Sequence, residues 1–461
     1  MKGQTISMFH RISNANKTLA AAVALTATTT VSAQQYVNDD STGQVLLFPF
    51  YSVMNNSNTY LHIVNTSSTE NKAIKVRFLE GRNSEVVLEF NAYLPPNDIL
   101  ALAIDKDGEG AAVLATDTTC TVPELGTSNG AYSGSQTTLF NGATLRRQPF
   151  VPYLYDAEKG DPSLSRTRIG HAEVIELGVV DASIDLSDCD AVMELWTSGI
   201  WSTNTATSVT SPTGGLSGNA LFINPEKAYS MNVPVTHIDG WAKPATNYHT
   251  GTGTLAPELD EGVTSASVNG TTHDYTGQPN AGALALSAAL TTQWIYNEVQ
   301  TEDTIAAETD WIATTVTRRF FTNTETASAP FTKSYDSSSE DNTACEAITL
   351  TRYDRSANRT TGTGTFVPDS TGVEGDLCGS VSAMSFHSDS ALLIDGATAI
   401  SFPYQAGAAK IGFSNTMPAD NAGKSLQGLP VIGFAGTRIV NGPMSYGYAQ
   451  EHKTLTITSG S

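Results

Sequence analysis

The chain has 461 residues, with 25 Lys plus Arg against 46 Asp plus Glu and a formal net charge of −21. A field of that sign repels nucleic acid and anionic lipid and attracts cations, so a nucleic-acid partner is excluded from the expectations. An ordinary apolar fraction, with many Gly, Ser and Thr and few Lys, excludes a disordered chain and fits a β-rich exported protein.

Residues 1–33 read as a secretion signal: Lys2, Arg11 and Lys17 precede an alanine-rich apolar run, and Val31-Ser32-Ala33 is a small-x-small cleavage site. Without them, 22 basic residues face 46 acidic ones, a balance of about −24. No later stretch approaches the roughly 20 apolar residues of a membrane-spanning helix. The expected product is secreted and carries no transmembrane segment.

From residue 43 to 104, five apolar runs follow at short intervals, separated by Asn-, Gly- and Pro-rich turns. Ile74, Val76 and Phe78 alternate with Lys75 and Arg77, and Val86, Leu88 and Phe90 with Val87 and Glu89. Side chains of a strand point to opposite faces in turn, so this pattern predicts an antiparallel sheet with one buried and one wet face.

Next comes Asp105-Lys106-Asp107-Gly108-Glu109-Gly110, which places carboxylates at alternate positions. Thr116 stands where an EF-hand needs its bidentate Glu, so that motif is excluded. The turn reads as a solvated hairpin tip, with a calcium site at Asp105, Asp107 and Glu109 as the alternative. Calcium is the one cofactor expected. Further acidic loops at 258–261 and 336–341 offer carboxylates at similar spacing.

Gly126-Thr127-Ser128-Asn129-Gly130 matches the GxSxG pattern of serine hydrolases, but that chemistry needs a strand before the serine and a helix after it. Neither flank has the pattern, so the match is ascribed to chance and no catalytic residue is named. The seven histidines beyond residue 33 are scattered, and none has a second histidine at metal-ligand spacing.

Residues 168–180 read as a strand and 188–196 as a short helix capped by Ser187 or Asp188. Leu286, Leu290 and Trp294 recur every four residues in an alanine-rich stretch, which predicts a helix over 281–299. Strand alternation returns at 311–321 and 347–353, and 381–457 is cut into short strands by Gly and Pro. Cys120, Cys189, Cys345 and Cys378 are even in number, and sequence-local pairing, Cys120 with Cys189 and Cys345 with Cys378, is the simplest of three arrangements. The expected fold is all-β, mainly antiparallel β-sandwich lobes with one or two short helices. Regions are drawn at 34–119, 120–304 and 305–461, the last expected to pack against the first.

The runs Gly43-Gln44-Val45-Leu46-Leu47-Phe48-Pro49-Phe50-Tyr51, Leu61-His62-Ile63-Val64-Asn65-Thr66 and Ala73-Ile74-Lys75-Val76-Arg77-Phe78-Leu79-Glu80-Gly81 resemble a family of exported marine gammaproteobacterial proteins that includes a crystalline surface-layer (S-layer) protein. The resemblance implies a non-enzymatic subunit of an outer-surface lattice, also found in biofilm matrix. Its partners are then further copies of itself and lipopolysaccharide or another cell-surface component. An adhesin or filament subunit is the alternative, and a secreted hydrolase the rival from another class.

Overall fold

A computed structural model describes residues 33–461 except 130–131, 155–161, 336–343, 357–358, 363–375, 443 and 460–461. The secretion signal, up to its last residue, and the acidic loop at 336–341 lie outside the described residues. Ala33–Ser461 cluster as one unit.

Four large sheets carry the fold. The first runs in the order Tyr36–Val37, Thr236–Asp239, Val45–Ser52, Ile169–Val180, Asn71–Glu80, Val86–Leu94, Cys120–Val122, and the second in the order Ser135–Thr138, Thr144–Pro149, Gly110–Ala115, Ile99–Asp107, Asn58–Asn65, Leu216–Asn224, Tyr229–Val233. Strands from 34–119 and from 120–304 therefore share both sheets. These two sheets pack face to face: Phe48, Phe50, Val76, Phe78 and Phe90 of the first meet Leu61, Ile63, Leu102, Val113 and Phe222 of the second in one apolar cluster. The alternating runs of 43–104 predict one sheet; the structure instead places Val45–Ser52, Asn71–Glu80 and Val86–Leu94 in the first and Asn58–Asn65 and Ile99–Asp107 in the second, because the apolar faces bury each other across a sandwich.

The third sheet, Thr398–Ala399, Val381–Ser385, Ala307–Thr314, Ile432–Asn441, Met444–Glu451, is sandwiched in turn. Ile312, Val381, Ala383 and Phe434 join the first core, while their neighbours Trp311, Met384 and Ala435 belong to a second. That second core is closed by Ile295, Val299, Leu350 and Ile411 of the fourth sheet, whose order is Arg359–Gly362, Cys345–Asp354, Ala406–Phe413, Trp294–Gln300, Lys453–Leu455. A strand buried on both faces has no reason to alternate, and Ala307–Thr314 is buried at every position. The 305–461 region thus meets the first sheet through shared core residues.

The helices are short. Cys189–Thr197 starts on Asp188, whose carboxylate accepts from the Ala191 N–H. Ala281–Leu290 is buried on almost every side. It ends nine residues before the predicted limit, because Trp294–Gln300 is a strand of the fourth sheet with Ile295, Asn297 and Val299 inside. The four-residue spacing that joins Leu290 to Trp294 is accidental; the alternation from Ile295 onward is the operative pattern.

The first sheet's polar face corrects a further expectation. Lys72, Lys75, Arg77, Glu89, Glu173 and Glu176 are all at most 2% exposed. Arg77 lies opposite Glu89 on one neighbouring strand and Glu173 on the other, at 3.1 and 2.9 Å. Lys75 reaches Glu89 at 3.3 Å, Lys72 reaches Glu176 at 2.8 Å, and Arg319 reaches Glu173 at 3.0 Å. The loop above is tied down by Arg77 donating to the Leu255 and Pro257 carbonyls and Lys75 to the Ala256 carbonyl. Burial opposes the Arg77 charge, yet Glu173 and Glu89 outweigh it and raise its pKa. Burial likewise opposes the Glu173 charge, and Arg319 and Arg77 prevail, lowering its pKa.

Both disulfides form as sequence-local pairing has them. Cys120–Cys189 ties an edge strand of the first sheet to the helix, with Cα atoms 5.2 Å apart. Cys345–Cys378 joins residues directly opposite each other on adjacent strands, with Cα atoms 4.1 Å apart.

Candidate functional site

The acidic turn after Ile104 is the tip of a hairpin between Ile99–Asp107 and Gly110–Ala115. Each of its carboxylates already has a partner. Asp105 accepts from the Lys106 N–H at 2.7 Å, Asp107 pairs with Arg147, and Glu109 pairs with Arg168 at 2.9 Å. The three are not gathered into one ligand group. In the 258–261 loop, Glu258 caps the turn Leu259–Glu261 and approaches Arg319 at 3.9 Å, so these acids serve a turn and a buried arginine.

Among the described residues, one group of three potential ligands has its atoms within 4.8 Å of one another: Glu308, His387 and Asp389. They come from the third sheet and the loop after Val381–Ser385; His387 and Asp389 border a cleft of about 510 Å³ that also holds Asn55, Asp395 and Arg438. One imidazole and two carboxylates suit a divalent cation of intermediate hardness. Glu308 is not free for it, because Arg438, directly opposite on the neighbouring strand, donates to its Oε2 from Nε at 2.8 Å and from Nη2. Burial, opposed by Arg438, raises the Glu308 pKa. The His387 Nδ1 already accepts from the Asp389 N–H at 3.2 Å. Sequence reading missed the group because 79 positions separate Glu308 from His387, and sheet pairing alone brings them together.

The only serine of the GxSxG match, Ser128, lies in the two-residue strand Ser128–Asn129, paired to Tyr132–Ser133. Among the described residues no strand-to-helix elbow surrounds it. A different serine, Ser84, bonds His171 Nε2 at 2.9 Å and donates to Ser380 Oγ at 2.7 Å. Ser84 is 2% exposed and His171 fully buried, and burial lowers the imidazole pKa to about 4. Buried and donating its proton to Ser380, Ser84 ties the turn after Asn71–Glu80 to the residue before Val381–Ser385.

The exposed surface carries a clearer feature. Met444–Glu451 is an edge strand of the third sheet. Its inner side lies on the second sheet: at Gly447 a Cβ would stand 2.3 Å from the Tyr229 ring and 2.6 Å from the Ser230 carbonyl oxygen, so glycine alone allows this approach. The alternate residues Met444, Tyr446 and Tyr448 face outward, 51%, 51% and 37% exposed.

Comparison with protein-family models, curated proteins and solved structures gives no match. No described helix is long and apolar enough to cross a membrane.

Proposed function

We propose that the chain is a non-enzymatic, self-assembling subunit of a surface layer (S-layer), secreted and held at the outer face of the cell, where it also joins biofilm matrix. The observation that carries the reading is the outward apolar stripe Met444, Tyr446 and Tyr448 on an edge strand. An unpaired strand edge beside exposed aromatic side chains is the surface that natural monomers suppress, because it pairs with other chains. A subunit that must close into a sheet needs such contacts on a rigid body. Rigidity is supported by two disulfides, characteristic of an oxidising compartment, and by sheets buried on both faces.

Subunits of about −24 repel at close range, so assembly calls for counterions. Calcium or another divalent cation is proposed to supply them, at exposed acidic loops such as the Asp105–Glu109 hairpin. The experiment is electron microscopy of residues 34–461 incubated at rising concentration with and without calcium. Ordered sheets support the reading.

A further inference from the structure

The fourth sheet buries Ile295, Val299, Leu350 and Ile411 on its inner side, while Trp294, Tyr296, Lys410, Tyr353 and Lys453 stay partly or fully exposed on its outer side. Strand pairing sets Tyr296 directly opposite Lys410 on one neighbour and Lys453 on the other, a Lys–Tyr–Lys row across three adjacent strands. At the usual strand spacing the two lysine backbones are about 10 Å apart. In the next row, Trp294 lies opposite Gly412, whose missing side chain leaves the sheet open beside the indole. The Lys410 ammonium stands 5.1 Å from the Trp294 ring centre and the Lys453 ammonium 5.8 Å from that of Tyr296. Beyond the row, Tyr296 and Tyr353, 6.4 Å between ring centres, flank a shallow depression of about 600 Å³ floored by Ala406, Gly407 and Ala408.

Rings over small residues offer flat, weakly hydrated faces, on which the C–H face of a sugar ring stacks while its hydroxyls meet polar neighbours such as Gln300. Charge narrows the choice. Neither lysine has a carboxylate partner among the described residues, in a chain where acids outnumber bases about two to one. Two unpaired ammonium groups at the edges of an aromatic row complement carboxylates spaced along a chain of sugars. Glu298 and Asp354 line the same depression and weaken that attraction at one end, with Arg355 beside them, so the attraction is concentrated on the Lys453–Tyr296–Lys410 row.

We propose that the outer face of the fourth sheet, along Lys453, Tyr296 and Lys410 with Trp294 beside them, binds a carboxylate-bearing polysaccharide. In the surface-layer reading, on which its biological use rests, this face holds the layer to the glycan coat of the cell and leaves the Met444–Glu451 edge free for neighbouring copies.

The test is native gel electrophoresis of dilute, unassembled protein through gels containing alginate, dextran or poly-glutamate. It needs no lattice, so its failure is separable from a failure of assembly. Expected are retardation by alginate, none by dextran, and weaker retardation by poly-glutamate, which has the charge without the rings. Trp294→Ala with Tyr296→Ala, or Lys410→Gln with Lys453→Gln, weakens alginate binding about tenfold, equivalent to about 1.4 kcal/mol. Tyr296→Phe binds as wild type, and Glu298→Gln binds about twofold more tightly, a gain set by the removal of one like charge. Unchanged thermal midpoints establish that the variants fold. Absence of alginate binding, equal retardation by poly-glutamate, or ring variants that bind like wild type would overturn the proposal. So would lysine variants that lose self-association without polysaccharide while still binding alginate, which would assign the face to a second copy of the chain.

Discussion

The Arg77 guanidinium stands 2.9 Å from the Glu173 carboxylate on the adjacent strand, and neither side chain is more than 1% exposed. The same arginine holds Glu89 and two loop carbonyls, so it ties two buried carboxylates to the covering loop. Replacing Arg77 with Met leaves Lys75 to hold Glu89 and Arg319 to hold Glu173, and strips the Leu255 and Pro257 carbonyls of this donor. A loss of about 3–5 kcal/mol is expected in urea unfolding, the cost of breaking a buried ion pair by removing one partner. Arg168→Ala removes only the pair with the exposed Glu109 and should leave the midpoint nearly unchanged. Equal effects of the two substitutions would show that the buried layer is not a stabilising unit.

Three imidazoles make stability pH-dependent. Burial lowers the pKa of His171, His249 and His452 to about 4 each. In the unfolded chain they titrate near ~6.5, so between those values the unfolded state binds more protons and stability falls as pH falls. At pH 5 the loss is on the order of 1–2 kcal/mol for each imidazole relative to pH 8. Urea midpoints measured from pH 8 to pH 5 should decline steadily, and His452→Gln should flatten the slope. A midpoint independent of pH across this range would exclude the neutral buried state.

Each disulfide closes a long loop, of 69 and 33 residues in sequence separation. Chain-entropy reasoning gives about 4 kcal/mol for each. Paired Cys→Ser replacement at 345 and 378, or at 120 and 189, should lower the unfolding free energy by that order. Peptide mapping without reductant should recover the two local pairs alone.

What the sequence discloses is the local part. Turn residues and the period-two pattern of 43–104 foretold its five strands, though as one sheet and not as two packed face to face, and Asp188 foretold the helix start. The polar residues of the same strands were read as wet because the partners that bury them lie far away: Glu173 is 96 positions from Arg77, and the covering loop more than 170. A solvent-facing Lys75 and a sealed one have the same spelling. In the same way, Glu308 and His387 converge only through sheet pairing, and the Lys453–Tyr296–Lys410 row joins three segments of which two lie 114 and 157 positions beyond Tyr296. Reading 281–299 as one helix hid Trp294 in an apolar stripe, although it sits with Tyr296 on an open sheet face.

The edge strand gives the next expectation. Tyr446→Lys with Tyr448→Lys places two charges on an outward, exposed stripe and touches no core residue, so folding stability should change little. Self-association should fall at least about tenfold, since charged side chains on a strand edge are the usual defence against edge pairing. Sedimentation velocity compares the two proteins directly. Unchanged association would place the contacts elsewhere.

Self-assembly itself is tested most directly by negative-stain electron microscopy of purified residues 34–461, raised in concentration with millimolar calcium and then treated with a chelator. A surface-layer subunit gives ordered two-dimensional sheets with calcium, which thin or disperse when it is withdrawn. Sheets that persist through prolonged chelation would remove the cation from the mechanism. A protein that stays monomeric at high concentration with calcium present would contradict the lattice.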